Sequence, residues 1–531
     1  QMVALDARTG IPVAGFGTNG IVDLKQNLDQ TVDLVTGEIG LHAAPVIAND
    51  VIVIGAAHRS GGVPRGKSNV KGYVRGFDVR TGKRLWIFHT IPRPGEFGND
   101  TWLNDSWSYT GNTGVWAQIS IDPALNMAYL PVETPTGDYY GGHRPGPGLF
   151  GESIVAVDLK TGVRKWHFQL VHHGIWDHDI PCAPILADIV VNGRRIKALA
   201  QPTKQAFMYV FDRETGKPVW PIEERPVPAG DVPGEWYSPT QPFPLDANGN
   251  VFAYDRQGFL EEDVLDFTPE LKAEGLKLIS RYKIGPVFTP IVVSRAEGPI
   301  ATLVLGSNGG GTVWAGGSYD PETGLLYVYS RRMPSPLGLV KPDPQKNDMN
   351  YIQGSALSGP RTTAGAGSTL PPGTPAPRTA PPAEGGGGLS VRGLSIVKPP
   401  YGSISAIDLN KGLKLWTIAH GDTPDNVRNN PALKGLDIAR TGQPGIIGTL
   451  TTKTLLIAGE AQVSTHGHPR GALLRAYDKA TGKDAGSVFM PAQQTGSPMT
   501  YLHNGRQYLV VAIGGGNYAG ELLAFALPQA Q

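Results

Sequence analysis

The densest collection of ionisable side chains is HHGIWDHDIPCAPILADI, residues 172–189, which sets three histidines and three aspartates beside Trp176 and Cys182. Three chemistries are open to it: metal ligation, proton transfer, or polar capping of a loop. A carboxylate can take a hydroxyl proton if it lies within hydrogen-bond reach, which makes Asp177 and Asp179 candidate bases. His172 and His173 are adjacent, so on an extended strand they point to opposite faces. With His178 they have no zinc-site spacing; one histidine is expected to line a pocket and the others to satisfy local hydrogen bonds. Lys204 follows 27 residues after Asp177, in QPTKQ between the apolar runs IKALAQPT and AFMYVFD. A buried ammonium there is costly without an anionic partner.

The elements that must position these groups are read from an internal repeat. MVALDARTGIPVAGF (2–16), VRGFDVRTGKRLWIF (74–88) and IVAVDLKTGVRKWHF (154–168) share one form, as do MYVFDRETGKPVWPI (208–222), ISAIDLNKGLKLWTI (404–418) and LRAYDKATGKDAGSV (474–488). Each reads as an alternating strand, a turn, and a second alternating strand. The aspartate hydrogen-bonds the turn backbone and the glycine supplies a positive φ. Trp86, Trp166, Trp220 and Trp416 are expected to be packing wedges. The interval from Asp212 to Asp408 is much longer than the others, and degenerate units are expected within it. Helical periodicity is confined to one short stretch, TPELKAEGLKLI (268–279). The chain is therefore predicted to be all-β, with repeated sheets arranged as a propeller. From about 334 to 400 the pattern lapses, and RTTAGAGSTLPPGTPAPRTAPPAEGGGG (361–388) cannot bury a core. This span is expected to be an insertion loop inside one domain covering 1–531, since the repeat resumes at Ile404.

Bulk composition excludes several classes. With a net charge of +1 and charges of both signs interspersed, nothing suggests a nucleic-acid partner. The single cysteine excludes a disulfide framework, a CxxCH haem attachment and a cysteine-based zinc knuckle. No apolar run approaches the roughly 18 residues that span a bilayer. QMVALDARTG has neither a charged nor an apolar leader region, so no signal peptide is expected in it.

Taken together, the Asp-x-x-Thr-Gly-x-x-x-Trp repeats, TGNTGVW (110–116), HHGIWDHDIPCAP (172–184), QPTKQAFMYVFDRETGKPVWPIEERPVP (201–228) and SPTQPFP (238–244) resemble the pyrroloquinoline quinone (PQQ)-dependent dehydrogenases. The likeness runs along nearly the whole chain and points toward the membrane-type glucose dehydrogenase branch. It implies an eight-bladed propeller of four-stranded antiparallel blades with tryptophan docking, whose first blades, carrying a vicinal disulfide, precede ALDARTG. It also implies PQQ and Ca²⁺ on the propeller axis and oxidation of a sugar or alcohol in the bacterial periplasm. Electrons would leave to an external acceptor, a quinone or a cytochrome.

Carried onto this sequence, the resemblance makes Asp177 the base and a metal ligand. Lys204 would face the quinone oxygens and stabilise charge arriving there. Trp116, in GVWAQISIDP and outside the repeat register, would be the aromatic floor under the cofactor ring. Asn308, in GSNGGGTVWAGG, and Thr136, in ETPTGDYYGG, would contact the cofactor. Asp179 is expected to be structural. Calcium takes six to eight oxygen ligands, yet HRSGGVPRGKSN (58–69) offers only Asn69. The alternative reading is a non-catalytic propeller scaffold, which would need the repeats but no Trp-Asp followed by a lysine.

Overall fold

A computed structural model describes the chain except for residues 36, 38, 41–42, 57–62, 257, 308–309, 362–388, 516 and 528–531. Every repeat folds as its composition dictates. In the first, Asp6 Oδ1 accepts hydrogen bonds from the Arg8 N–H (3.0 Å), the Thr9 N–H (2.9 Å) and the Thr9 hydroxyl (3.0 Å). Asp78, Asp158 and Asp478 repeat that three-bond pattern. The turn glycines 10, 82, 162, 216, 412 and 482 all have φ between 65° and 74°, a region costly for a residue with a Cβ.

These hairpins are the outer halves of antiparallel sheets. Val46–Ala48, Val51–Ile54, Val74–Asp78 and Arg84–Phe88 form one four-stranded sheet. Ser120–Asp122 to Arg164–Gln169 form the second, and Leu450–Thr451 to Asp484–Met490 another. Ile185–Val191, Arg194–Pro202 and Met208–Asp212 make a three-stranded sheet, as do Met499–His503, Arg506–Gly515 and Tyr518–Ala526.

Each wedge aromatic reaches across to the turn of the next unit. The Trp86 indole N–H donates to the Leu159 carbonyl (2.9 Å), Trp166 to Arg213 (3.0 Å) and Trp416 to Ala480 (3.0 Å). The turn glycines lie flat against these rings: a Cβ at Gly162 would sit 2.7 Å from Trp86, and one at Gly216 would sit 2.6 Å from Trp166. In the first unit Phe16 takes the wedge position, against Gly82.

The long interval departs from expectation. Trp220 packs directly on Gly412, where a Cβ would meet the indole at 2.4 Å. The Asp212 and Asp408 units are therefore neighbours, and among the described residues no degenerate repeat stands between them. Their sheets also touch through the Val190 N–H to Asn410 Oδ1 (2.8 Å) and the Tyr319 hydroxyl to the Asp188 carbonyl (2.8 Å). Gly317–Asp320, Leu325–Arg331, Gly402–Asp408 and Leu413–Ala419 form a single four-stranded sheet, and the chain leaves it after the second strand. The extra sequence builds a separate mixed sheet: Val292–Val293 pairs in parallel with Ser335–Val340, which also pairs with Thr302–Val304 and Ile352–Ser355. The span expected as a loop from 334 to 400 thus carries strands in its described parts, and most of its Gly/Pro-rich stretch, 362–388, lies outside the described residues. The expected helix forms at Pro269–Ile279, with the Thr268 hydroxyl accepting from the Leu271 N–H (3.2 Å).

Because Trp166 is only 6% exposed and Gly216 combines a φ of 74° with the 2.6 Å approach, Gly216→Ala is expected to lower stability by roughly 2–4 kcal/mol. Chemical denaturation of the variant beside the wild type checks this. An unchanged midpoint would show that the wedge is not a close-packed joint.

Candidate active site at one end of the sheets

Four connections bring the chemistry together. Asp177 lies between Arg164–Gln169 and Ile185–Val191, and Lys204 lies on the turn joining Arg194–Pro202 to Met208–Asp212. Trp116 precedes Ser120–Asp122, and Thr136 follows Met127–Pro131. The Asp177 loop is shaped by tight local contacts. Gly174 admits no side chain, since a Cβ would fall 1.6 Å from Glu152 Oε2. Its carbonyl accepts from Arg144 Nη2 (2.7 Å), and Asp177 itself sits at a φ of 57°.

The Lys204 ammonium is the hub. It donates to Asp177 Oδ1 (2.8 Å), to the Asp177 carbonyl (3.0 Å) and to Asp179 Oδ2 (3.0 Å). All three residues are buried or nearly so. Asp179 is the best-supported of the acids: it also accepts from the Thr134 N–H (2.7 Å) and from the Trp116 indole N–H (3.2 Å). Lys204 Nζ lies 5.9 Å from the Trp116 ring centre, and that ring keeps partial exposure. Asp177 Oδ2 is held only loosely, by the Tyr139 hydroxyl at 3.4 Å.

These environments push the two carboxyls apart. Burial raises Asp177 well above the usual carboxylate range; Lys204 opposes that shift, while Asp179 and Asp138 add to it. Burial acts on Asp179 in the same sense, but Lys204 and the Thr134 N–H outweigh it and hold the group below its ordinary value. Divergent environments of this kind separate a resident counter-ion from a titrating acid–base group. Lys204 stays protonated: burial opposes its charge, and the two aspartates more than compensate. Behind this cluster, burial and Asp179 raise Glu133 well above the usual carboxylate range, and Glu152 is pushed up to about 8, chiefly by burial. The Thr134 hydroxyl donates to Glu152 Oε1 (2.8 Å).

The residues singled out in the sequence fall into two groups. Asp177, Lys204 and Trp116 converge, linked through Asp179. Thr136 is buried two residues beyond Thr134, with its hydroxyl unpartnered; Asn308 lies outside the described residues. Asp179, expected to be structural, is the contact joining lysine and indole. Its signal was its spacing, since residues two apart on extended chain share a face. Tyr139, Glu133 and Glu152 carried no such signal. The three histidines do not converge. His172 meets Gln169 and Glu224, and His173 meets Glu235 and the Gly146 carbonyl. His178 stacks on Trp176 and is held neutral by burial, its value near 3. The Trp176 N–H bonds the Thr289 carbonyl (2.8 Å), and the buried Cys182 thiol is pushed up to about 12.

A flat anionic cofactor fits what is present. Trp116 offers an aromatic face and Lys204 a cation. Buried polar atoms without protein partners stand beside them in sequence and fold: the Thr136 hydroxyl, both amide atoms of Gln205, the Ser307 hydroxyl and Arg331 Nε. Calcium fits poorly. Among the described residues no group of three or more His, Cys, Asp or Glu side chains could hold a metal ion. Lys204 already occupies Asp177 Oδ1, and the Asn69 amide is turned onto the Gly66 carbonyl (2.8 Å). The expectation of Asp177 as a metal ligand is therefore not supported, and no step below is routed through a metal.

Separate sheets joined by aromatic wedges on the turns of their neighbours, with a buried lysine–carboxylate cluster on the loops at one end, define a β-propeller of the quinoprotein class. The family model "PQQ: Glucose/ethanol/alcohol dehydrogenase, beta-propeller domain" matches residues 1–509, and the chain belongs to that family. It is 31% identical to the glycerol dehydrogenase large subunit of Gluconobacter oxydans, covering 99% of this chain and 68% of that protein. It is 30% identical to the quinoprotein glucose dehydrogenase of Escherichia coli, covering 99% and 62%. The chain thus spans about two thirds of the length of these relatives. A quinohemoprotein alcohol dehydrogenase from Pseudomonas putida HK5 shares the fold, with a TM-score of 0.59, 22% identity, and coverage of 98% of this chain and 60% of that one.

Glu152 gives the cluster a pH signature. Folded Glu152 keeps its proton up to about 8, whereas the unfolded chain releases it near 4.5, so folding takes up a proton between those values. This contribution to stability is full below 4.5 and is lost as pH rises through 8. Glu152→Gln, which mimics the protonated acid, is expected to flatten that dependence and to be more stable than wild type by a few kcal/mol above pH 8. Melting curves across pH 5–9 test it; parallel curves for the two proteins would contradict it.

Proposed function

We propose that this chain is the catalytic propeller of a PQQ-dependent dehydrogenase that oxidises a sugar or alcohol hydroxyl. The observation that carries the reading is the buried Lys204 bonded to both Asp177 and Asp179, with Trp116 on the same carboxylate. A scaffold protein has no use for such a cluster, which sets a charged lysine and a raised carboxyl where the chain could have buried apolar side chains. Bound PQQ supplies the two-electron oxidant. Trp116 offers the face on which its ring rests, and Lys204, Thr136 and Gln205 offer polar contacts. Asn308, in the glycine-rich turn, belongs to the same proposed contact set. Asp177 Oδ2, the oxygen that Lys204 leaves free, takes the substrate hydroxyl proton, and its raised affinity for protons suits that role. Asp179 remains the counter-ion and keeps the lysine and indole in register.

Several features of the proposal rest on family likeness. The ring is read as eight blades with tryptophan docking; the wedge-to-glycine contacts between successive units support it. Electrons leave to an external quinone or cytochrome, and the site works in the periplasm. Among the described residues no helix is long and apolar enough to cross a membrane. Calcium is left out, because Lys204 takes one oxygen of each aspartate and among the described residues no group of three or more acidic, histidine or cysteine side chains gathers there.

Protein supplied with PQQ is expected to reduce an artificial electron-accepting dye with some alcohol or aldose. Asp177→Asn should lower turnover by 10³-fold or more, roughly the scale of losing a general base, while quenching of protein fluorescence shows PQQ still bound. Full activity in that variant would remove Asp177 from the mechanism. Failure of the wild type both to bind PQQ and to reduce dye would return the protein to the scaffold class.

A further inference from the structure

The Lys204 ammonium has three N–H groups and meets three oxygens: Asp177 Oδ1 (2.8 Å), the Asp177 carbonyl (3.0 Å) and Asp179 Oδ2 (3.0 Å). Donors and acceptors match in number, and the lysine side chain is only 4% exposed. Its turn is clamped from behind. The Thr312 N–H donates to the Thr203 carbonyl (3.3 Å), and a Cβ on Gly306 or Gly311 would fall 2.4 or 2.0 Å from the Lys204 carbonyl. The ammonium is therefore a fixed part of the site.

A divalent cation has no comparable seat among the described residues. Calcium takes six to eight oxygens at about 2.3–2.6 Å, whereas the cage around Lys204 has three oxygens and is already filled. The two aspartates are balanced by the ammonium between them, so a dication placed there would have to displace it. The acids behind the cluster each spend an oxygen elsewhere: Glu133 Oε1 on the Gly114 N–H (2.9 Å) and Glu152 Oε1 on the Thr134 hydroxyl (2.8 Å). The stretch HRSGGVPRGKSN (58–69) contributes two arginines and a lysine but no carboxylate. More positive charge lies next to Lys204. Arg331 pairs its backbone with Gly311 (3.0 and 3.1 Å), the same glycine that crowds the Lys204 carbonyl, and its buried Nε has no partner.

We propose that this site takes its anionic quinone cofactor without a divalent metal, the Lys204 ammonium standing as the resident cation and Arg331 adding a second positive charge for the cofactor. The inference rests on the dehydrogenase reading. A metal that bound together with the cofactor would couple the two affinities, each raising the other by the same factor. Cations carried on the chain produce no such coupling, and a chelator cannot remove them.

The test titrates EDTA-dialysed protein with PQQ, following the quenching of protein fluorescence, first without metal and then with added Ca²⁺ or Mg²⁺. The wild type is expected to bind PQQ without metal, and either ion should move its Kd by less than about 3-fold. Tightening by about 10-fold or more on adding Ca²⁺ or Mg²⁺ overturns the inference and leaves the dehydrogenase reading standing. Lys204→Gln and Arg331→Gln each remove one charge and should each weaken PQQ binding in EDTA by about 10-fold or more, the scale of a charged hydrogen bond. Should Lys204→Gln fail to fold, Arg331→Gln carries the same test. Variants that bind PQQ in EDTA as tightly as the wild type take the protein cations out of the role and also overturn the inference. A wild type that binds PQQ neither with nor without metal sinks the dehydrogenase reading and this inference with it.

Discussion

The site depends on one ammonium shared by two buried carboxyls. Lys204 could not be buried alone, and Asp177 and Asp179 could not lie side by side without it. Each of the three therefore fixes the others. Because Lys204 also bonds the Asp177 carbonyl, it holds the backbone of the loop as well as the side chain, at a φ that few residues other than glycine adopt. Through Asp179 the same charge reaches the Trp116 indole and the Thr134 N–H. Four segments flanking the strands of two sheets are thus registered to a single nitrogen atom.

That registration is useful only if the sheets are rigidly placed, and the repeat provides this. An aspartate bonded to its own turn and a glycine with positive φ make a flat surface, and an aromatic wedge from the preceding unit lies on it. The turn glycine has two jobs at once: it permits the reversal and it leaves room for the neighbouring ring. The glycines near Lys204 work in a related way. A Cβ on Gly306 or Gly311 would come within 2.4 or 2.0 Å of the Lys204 carbonyl, so the glycine-rich turn is the bed on which the lysine's backbone rests.

That Lys204 needs an anion followed from the cost of burying a charge, though not that Asp177 supplies it, and the hairpins, the turn chemistry and the short helix were legible in the sequence because each follows from local spacing. The interval between Asp212 and Asp408 was not. Spacing along the chain says how much sequence intervenes, not whether it forms a further unit; contacts such as Trp220 on Gly412 place the two units side by side, with only 317–331 of the described intervening residues joining their sheets. Asp179 was undervalued for a similar reason: its partners Trp116, Thr134 and Lys204 come from three other segments, and no single window of sequence contains them. Tyr139 was invisible because a tyrosine in a glycine-rich loop has many ordinary roles, and only its proximity to Asp177 Oδ2 distinguishes this one.

The charge balance of the cluster explains why the proton-accepting oxygen is where it is. Glu133, Glu152 and Asp177 each feel Asp179 and Lys204, and a fully ionised set would repel far more than one ammonium offsets. Burial resolves this by raising Glu133 and Glu152 above the usual carboxylate range, which leaves Asp179 to neutralise the lysine. Asp177 is then the marginal group, the one whose proton is decided by what else occupies the site. Its Oδ1 is committed to Lys204 and its Oδ2 meets the Tyr139 hydroxyl at 3.4 Å, so Oδ2 is the oxygen left to take a proton. The direction of proton transfer is therefore set by which oxygen the lysine has already taken.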